Sequence, residues 1–156
     1  MSDGFIIRDG RIEDKEEIYT LWKEAIEYHD NISDIDLEPD DEAPELYMKY
    51  YETYVKSEDK KALIAEDNGQ IIGYLLGGIP KKSPIRWVSH CAYMGGISVA
   101  PNKRQKGIGS RLLREFSLWA KEKGMNSIMV NVVSENLTFF EKQGFKTLEL
   151  CLRKSI

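Results

Sequence analysis

Apolar residues along this chain fall at two spacings, and the changes from one to the other mark out its elements. Phe5-Ile6-Ile7-Arg8 is a short apolar run that reads as an opening strand. Asp14 with Glu17 three residues on forms a capping-box signature, after which Ile18, Leu21, Trp22, Ala25 and Ile26 recur on one helical face. Beyond Tyr28 the pattern decays into an acidic stretch ending near Pro44. Leu46, Tyr47, Tyr50, Tyr51, Tyr54 and Val55 then share a helical face, so the region reads helix, acidic loop, helix. Its tyrosines read as amphipathic core cover, with a ligand-facing role for some of them as the lesser alternative.

Residues 62–66 and 70–77 read as two strands joined through Asp67-Asn68-Gly69, because an Asn-Gly pair takes the left-handed backbone of a tight hairpin. Pro80, Lys81, Lys82 and Pro84 punctuate a loop before a third apolar strand over 92–100. A long amphipathic helix over 108–123 stops at Gly124. A strand over 127–133, a short helix over 137–143 stopped at Gly144, and a last strand over 145–152 complete the pattern. Only the units around the last two helices require parallel crossovers. The expected fold is therefore α/β (α+β): a mixed, mostly antiparallel sheet flanked by helices, with 92–100 and 127–133 as its parallel pair.

With 156 residues, 42% hydrophobic and 31% charged, the chain can bury a core, and residues 1–156 are expected to form one domain. The longest weakly polar run, 71–79, holds three glycines and falls well short of the roughly 20 apolar residues of a membrane span. The start lacks the basic-then-apolar order of a secretion signal, and Cys91 and Cys151 are too few for a disulfide framework. A cytoplasmic protein without a membrane partner is the expectation. Charge is unevenly divided. Residues 25–48 hold nine acids and no Lys or Arg, leaving all 22 basic groups and 17 acids on the rest of the chain. An acidic lobe on a mildly basic body suits an anion on the body and a cation near the lobe, although such a run can also be a solvated loop. It does not suit a nucleic-acid surface.

The richest segment is Ile97-Ser98-Val99-Ala100-Pro101-Asn102-Lys103-Arg104-Gln105-Lys106-Gly107-Ile108-Gly109-Ser110. A strand runs into a loop with two glycines, and a helix begins inside that loop. The first N–H groups of a helix lack intrahelical acceptors and carry partial positive charge, so a phosphate lodges there where side chains are small. Lys103, Arg104 and Lys106 add cations for a pyrophosphate. A P-loop would need Lys directly before Ser110, where Gly109 stands, and a dinucleotide fingerprint would need Gly at Leu112. Alone, Gly-x-Gly could merely turn a corner. No metal site is read in the sequence.

Arg104-x-x-Gly107-x-Gly109, between the strand ending Ile97-Ser98-Val99 and an amphipathic helix, resembles the acyl-CoA signature of the GNAT N-acetyltransferase family. Arg8, Asp14, Ile71-Ile72-Gly73-Tyr74 and Phe140-Glu141-Lys142-Gln143-Gly144-Phe145 resemble that family's other landmarks, in its order. The resemblance covers nearly the whole chain. It implies the acyl-CoA N-acyltransferase fold, in which the parallel strands splay and the acetyl-CoA arm enters the gap. Its amides would pair with the backbone of Ile97 and Val99, with Ser98 between them. The pyrophosphate would sit on the amides of Gln105, Lys106, Gly107, Ile108, Gly109 and Ser110 beside Arg104. Asn131 and Asn136 resemble positions that contact the cofactor arm, though each could be an ordinary strand-end or cap residue.

The implied reaction is direct attack of a neutral primary amine, on a cationic metabolite such as a polyamine or on a protein, at the thioester carbonyl. The amine must lose a proton, and with an alkylamine pKa near 10 that is the larger obstacle. The Ile97 N–H is the candidate oxyanion donor. The family usually protonates the thiolate from a Tyr at the position of Phe140, which cannot do so. A non-catalytic acyl-CoA sensor is therefore the alternative. Tyr93 takes the place of a family Glu base; period-two alternation would put it on the face of Gly95, Ile97 and Val99, as a relay or a packing ring. His90 and His29 are the chain's histidines, and each reads more as a loop residue than as the base. Glu27, His29 and Asp30 are the expected substrate contacts, and a homodimer is possible.

Overall fold

The structure is a computed structural model that describes residues 4–32, 42–81, 90–152, 154 and 156, without the side chains of 29–32. Its strands are β1 (Ile6–Asp9), β2 (Lys60–Asp67), β3 (Gln70–Gly78), β4 (Cys91–Val99) and β5 (Ser127–Val130). Its helices are α1 (Lys15–Ile32), α2 (Ala43–Lys56), α3 (Ile108–Glu122) and α4 (Leu137–Lys142). Most of the acidic stretch and the Lys82–Pro84 loop lie outside the described residues.

The sheet order is β1-β2-β3-β4-β5, antiparallel except for the β4–β5 pair. This is the expected mixed sheet. At the β2–β3 turn both Asn68 and Gly69 have positive φ, 49° and 81°, the backbone of the tight hairpin that their side chains favour. Alternating residues of β2 serve opposite layers. Ala62 and Ile64 pack under α1 and α2 with Ile18, Tyr51 and Tyr54, whereas Leu63 and Ala65 pack under α3 with Leu112 and Phe116. Burying a side chain such as Phe116 is worth roughly 2–3 kcal/mol. A methyl group at Gly77 would run into the Phe116 ring, so the missing side chain lets α3 approach the sheet.

Four expectations are corrected. Asp14 does not form a capping box with Glu17. It closes a 3₁₀ turn (Ile12–Asp14) by accepting from the Arg11 N–H at 2.7 Å, and takes both terminal nitrogens of Arg8 at 2.8 and 2.9 Å. Glu66 takes the Arg8 Nε at 2.6 Å, which ties β1, β2 and the entry to α1 together. Second, β5 stops at Val130 because the chain bends away into a 3₁₀ turn (Ser134–Asn136). Third, Leu46 and Tyr50 are exposed at the margin of the α2 face. Fourth, residues 145–152 form no strand. Past Phe145, whose N–H bonds the Phe140 carbonyl at 3.0 Å, the segment finds no ladder partner among the described residues.

Candidate active site

β4 carries the site because its two edges end at different places. It pairs with β3 as far as Val99, but with β5 only over Cys91–Met94. Beyond Met94 one edge of β4 is therefore free of β5. Leu76 faces Gly96 while Gly77 faces Met94, so Gly95 is the extra residue of a β-bulge at the point of divergence. Ala100 donates to the Ile72 carbonyl at 2.8 Å, and ladder bonds alternate along an antiparallel strand, so the polar groups of Ile97 and Val99 face away from β3 toward the gap. Arg104 Nε donates to the Val99 carbonyl at 3.1 Å; no described group bonds the Ile97 N–H there.

The β4–α3 loop supplies the second half. Gln105 and Gly107 take left-handed φ values of 61° and 77°, and α3 starts at the next residue. The Ile108 side chain is buried in the α3 layer, which pins the helix start to the sheet. Arg111 makes the first helical bond, to the Gly107 carbonyl at 3.0 Å, and the N–H groups of Gly107, Ile108, Gly109 and Ser110 have no acceptor among the described residues. A methyl group on Gly109 would come within 3.2 Å of the Phe139 ring. The cations divide their work. Lys103 pairs with Asp67 at 3.1 Å, Arg104 lies 5.1 Å over the Tyr28 ring, and Lys106 is exposed without a partner among the described residues.

On the other side of the bulge stands a group of phenols. The Tyr50 and Tyr54 hydroxyls lie 2.7 Å apart. Both crowd Gly95, where a methyl group would meet them at 2.8 and 2.7 Å. Burial first, then the bond from Tyr50 and the neighbouring Tyr93 hydroxyl, push Tyr54 far above the ordinary phenol range. Tyr47 and Tyr74 share a second bond of 3.0 Å, and burial pushes Tyr74 up to about 12. Tyr54 and Tyr74 are thus held in the neutral form, which exchanges hydrogen bonds rather than acting as a phenolate base.

The bulge also corrects the place of Tyr93. One extra residue reverses the alternation, so Ile97 and Val99 pack toward α3 while Tyr93 packs with the α1–α2 cluster. Asn131 is exposed just after β5; Asn136 precedes α4 but its side chain makes no capping bond. Phe140 is buried, edge-on to Phe139 and Phe145. Ser98 is buried on the α1–α2 face, and the Ser110 hydroxyl accepts from Gln143 Nε2 at 2.9 Å. Glu27 is exposed and pairs with Lys23 at 3.8 Å; the side chains of His29 and Asp30 lie outside the described residues. His90 is exposed, with its carbonyl bonded by Asn126. The Tyr50–Tyr54 pair and Phe139 are what sequence reading missed: their helical spacing is visible, but their convergence on two particular glycines is not.

The family model for the acetyltransferase (GNAT) family matches residues 16–145. The chain belongs to that family. A protein of Pyrococcus furiosus assigned as an acetyl transferase is 29% identical over 97% of this chain and 99% of its own, with a TM-score of 0.75. A Clostridium acetobutylicum protein assigned as an acetyltransferase and solved with acetyl-CoA is 18% identical, covering 97% and 96%, at 0.79. An aminoglycoside N-acetyltransferase solved with CoA is 20% identical, covering 97% and 94%, at 0.76. In this acetyltransferase the split of β4 from β5 and the open helix start thus lie in an acyl-CoA N-acyltransferase fold. No helix among the described residues is long and apolar enough to cross a membrane.

Proposed function

We propose that the chain transfers an acetyl group from acetyl-CoA to a primary amine on a small cationic molecule. The observation that carries this reading is that one strand–loop–helix segment holds two sets of open backbone donors, at the Ile97 edge of β4 and in the amides of Gly107–Ser110. The first set suits an amide-bearing arm entering as an extra strand; the second, at a helix start, suits a pyrophosphate. Arg104 and Lys106 would flank it, and the exposed Asn131 and Asn136, whose side chains have no partner among the described residues, would contact the arm as the family resemblance implies. When bound, the cofactor supplies an activated acetyl thioester.

The Ile97 N–H, on the open edge of β4, would stabilise charge on a carbonyl oxygen in the gap. Tyr54 and Tyr50 meet at the bulge, with Tyr93 behind them. Tyr54, its phenol pushed up by burial, would orient an amine through its hydrogen bond with Tyr50 and pass a proton outward by exchanging hydrogen bonds. Phe140 is buried and has no exchangeable proton, so a thiolate released from bound CoA would take its proton from water or another side chain, or leave unprotonated. The amine class rests on the family, and the cationic character on the acid-rich 25–48 segment. The test is thiol release with acetyl-CoA and a panel of amines, beside thermal shifts with CoA and with CoA lacking its 3′-phosphate. Saturable turnover of a cationic amine supports the reading. A cofactor-induced shift without turnover of any amine points to a sensor instead, and no shift at all overturns the site.

A further inference from the structure

The basic side chains of the β4–α3 loop have partners that differ in kind. Lys103 is paired with Asp67 at 3.1 Å, so its charge is already offset. Lys106 is exposed without a partner among the described residues, so an anion must fix its rotamers on arrival. Arg104 is held and yet not neutralised. Its Nε donates to the Val99 carbonyl at 3.1 Å, and its guanidinium lies over the Tyr28 ring, 5.1 Å from the centroid. Among the described residues no carboxylate pairs with it and neither terminal nitrogen makes a hydrogen bond. A carboxylate would hold the guanidinium as firmly but would compete with an incoming phosphate. A carbonyl and a ring face hold it through neutral groups, which leaves the full charge and both terminal nitrogens as a planar fork for an anion.

Tyr28 belongs to the C-terminal part of α1, the helix from which the acid-rich segment runs on, and is 48% exposed. We infer that Tyr28 is a positioning residue for the cofactor: its ring sets the plane of Arg104, so that the fork is aimed before a phosphate arrives. This rests on the reading of residues 104–110 as the CoA phosphate site. It joins two parts of the chain that lie far apart in sequence, the phosphate loop and the helix leading into the acidic lobe. Coupling between two sites is reciprocal, so a phosphate that fixes Arg104 also steadies Tyr28 and the last turns of α1. A cation–π contact at an exposed site is modest, and the expected effects are severalfold rather than all-or-none.

The test is calorimetric titration of the full chain with CoA, comparing the parent with Tyr28→Phe, Tyr28→Leu, Arg104→Gln and the Tyr28→Leu, Arg104→Gln double variant. Tyr28→Leu should raise Kd about two- to fivefold, whereas Tyr28→Phe, which keeps a ring face, stays with the parent. In the Arg104→Gln background there is no guanidinium to aim, so Tyr28→Leu should change nothing further. Exchange mass spectrometry over residues 24–32 adds a readout that lost surface packing alone would not move. CoA should slow exchange there in the parent and in Tyr28→Phe, and fail to do so in Tyr28→Leu. A parent that does not bind CoA overturns the phosphate site and this inference with it. If the parent binds, three results overturn the role of Tyr28 and leave the site standing: a Kd unmoved by Tyr28→Leu, a loss that persists in full beside Arg104→Gln, or an equal loss in Tyr28→Phe.

Discussion

Individual residues divide between holding the fold and shaping the gap. Asp14 belongs to the first group. Burial alone would raise its carboxyl, but the hydrogen bonds from Arg8 and the Arg11 N–H win, and its pKa is held below the ordinary 3.8. A folded-state pKa below the unfolded one gives stability that is complete above the unfolded value and lost as pH falls through the folded one. Asp14→Asn should therefore destabilise by about 3 kcal/mol at pH 7, by leaving part of the Arg8 guanidinium unpaired, with the difference from the parent shrinking in acid below pH 4. Chemical denaturation at pH 7 and pH 3 measures it; an equal loss at both would refute the ionic account. Gly95 belongs to the second group. A methyl group there meets the Tyr54 and Tyr50 hydroxyls inside contact distance, so Gly95→Ala must push that pair aside. We expect a soluble protein, cofactor affinity unchanged within about twofold, and kcat/KM for the amine down by about tenfold or more. Steady-state kinetics beside calorimetric binding of CoA would show the split.

At the scale of elements, what the sequence made legible is what depends on local spacing. The hairpin was readable because Asn68 and Gly69 are the residues that a left-handed two-residue turn selects. The start of α3 was readable because glycines at 107 and 109 within a basic loop have few other uses. What could not be read is pairing. The Gly95 bulge leaves a strand pattern of period two on either side, and only the register against β3 reveals that Tyr93 and Ile97 face opposite layers. The leucine row over 148–152 reads as a strand by the same spacing, yet it has no ladder partner among the described residues, which spacing alone does not reveal. The β4–β5 split predicts its own signature. In the free protein the amides of Ile97, Gly107, Ile108 and Gly109 should exchange with solvent quickly, whereas those of the β2–β3 ladder should be slow. Adding acetyl-CoA should slow the first set by at least tenfold and leave the ladder unchanged. Exchange mass spectrometry over peptides spanning 95–112 reports this, and protection that does not change on binding would remove the pyrophosphate assignment.

For the whole molecule the deciding quantity is how charge is arranged around a nearly neutral total. A net charge of −4 on 156 residues says little, but nine acids without a base over 25–48, facing 22 basic groups against 17 acids elsewhere, create two regions of opposite potential. The basic side includes Lys106 and Arg104 at the loop proposed to receive the cofactor's phosphates. The acidic side follows α1 and leads into α2, the helices whose tyrosines crowd the bulge. On the proposed reading, a phosphate-bearing donor and a cationic acceptor would each be drawn by charge of opposite sign, and each association should weaken as salt screens it. The screening length is about 10 Å at 0.1 M and 3 Å at 1 M, so salt acts mainly on attraction at a distance and little on contacts inside the gap. Raising ionic strength should increase KM for a diamine severalfold, leave kcat nearly constant, and hardly move KM for a neutral hydroxylated amine of the same size. Replacing Asp34, Asp36, Asp40 and Asp41 with Asn should reproduce the high-salt KM at low salt and flatten the remaining salt dependence. If the quadruple variant keeps both the parent KM and its full salt dependence, the acidic lobe does not draw in the amine, and its role must be sought away from catalysis.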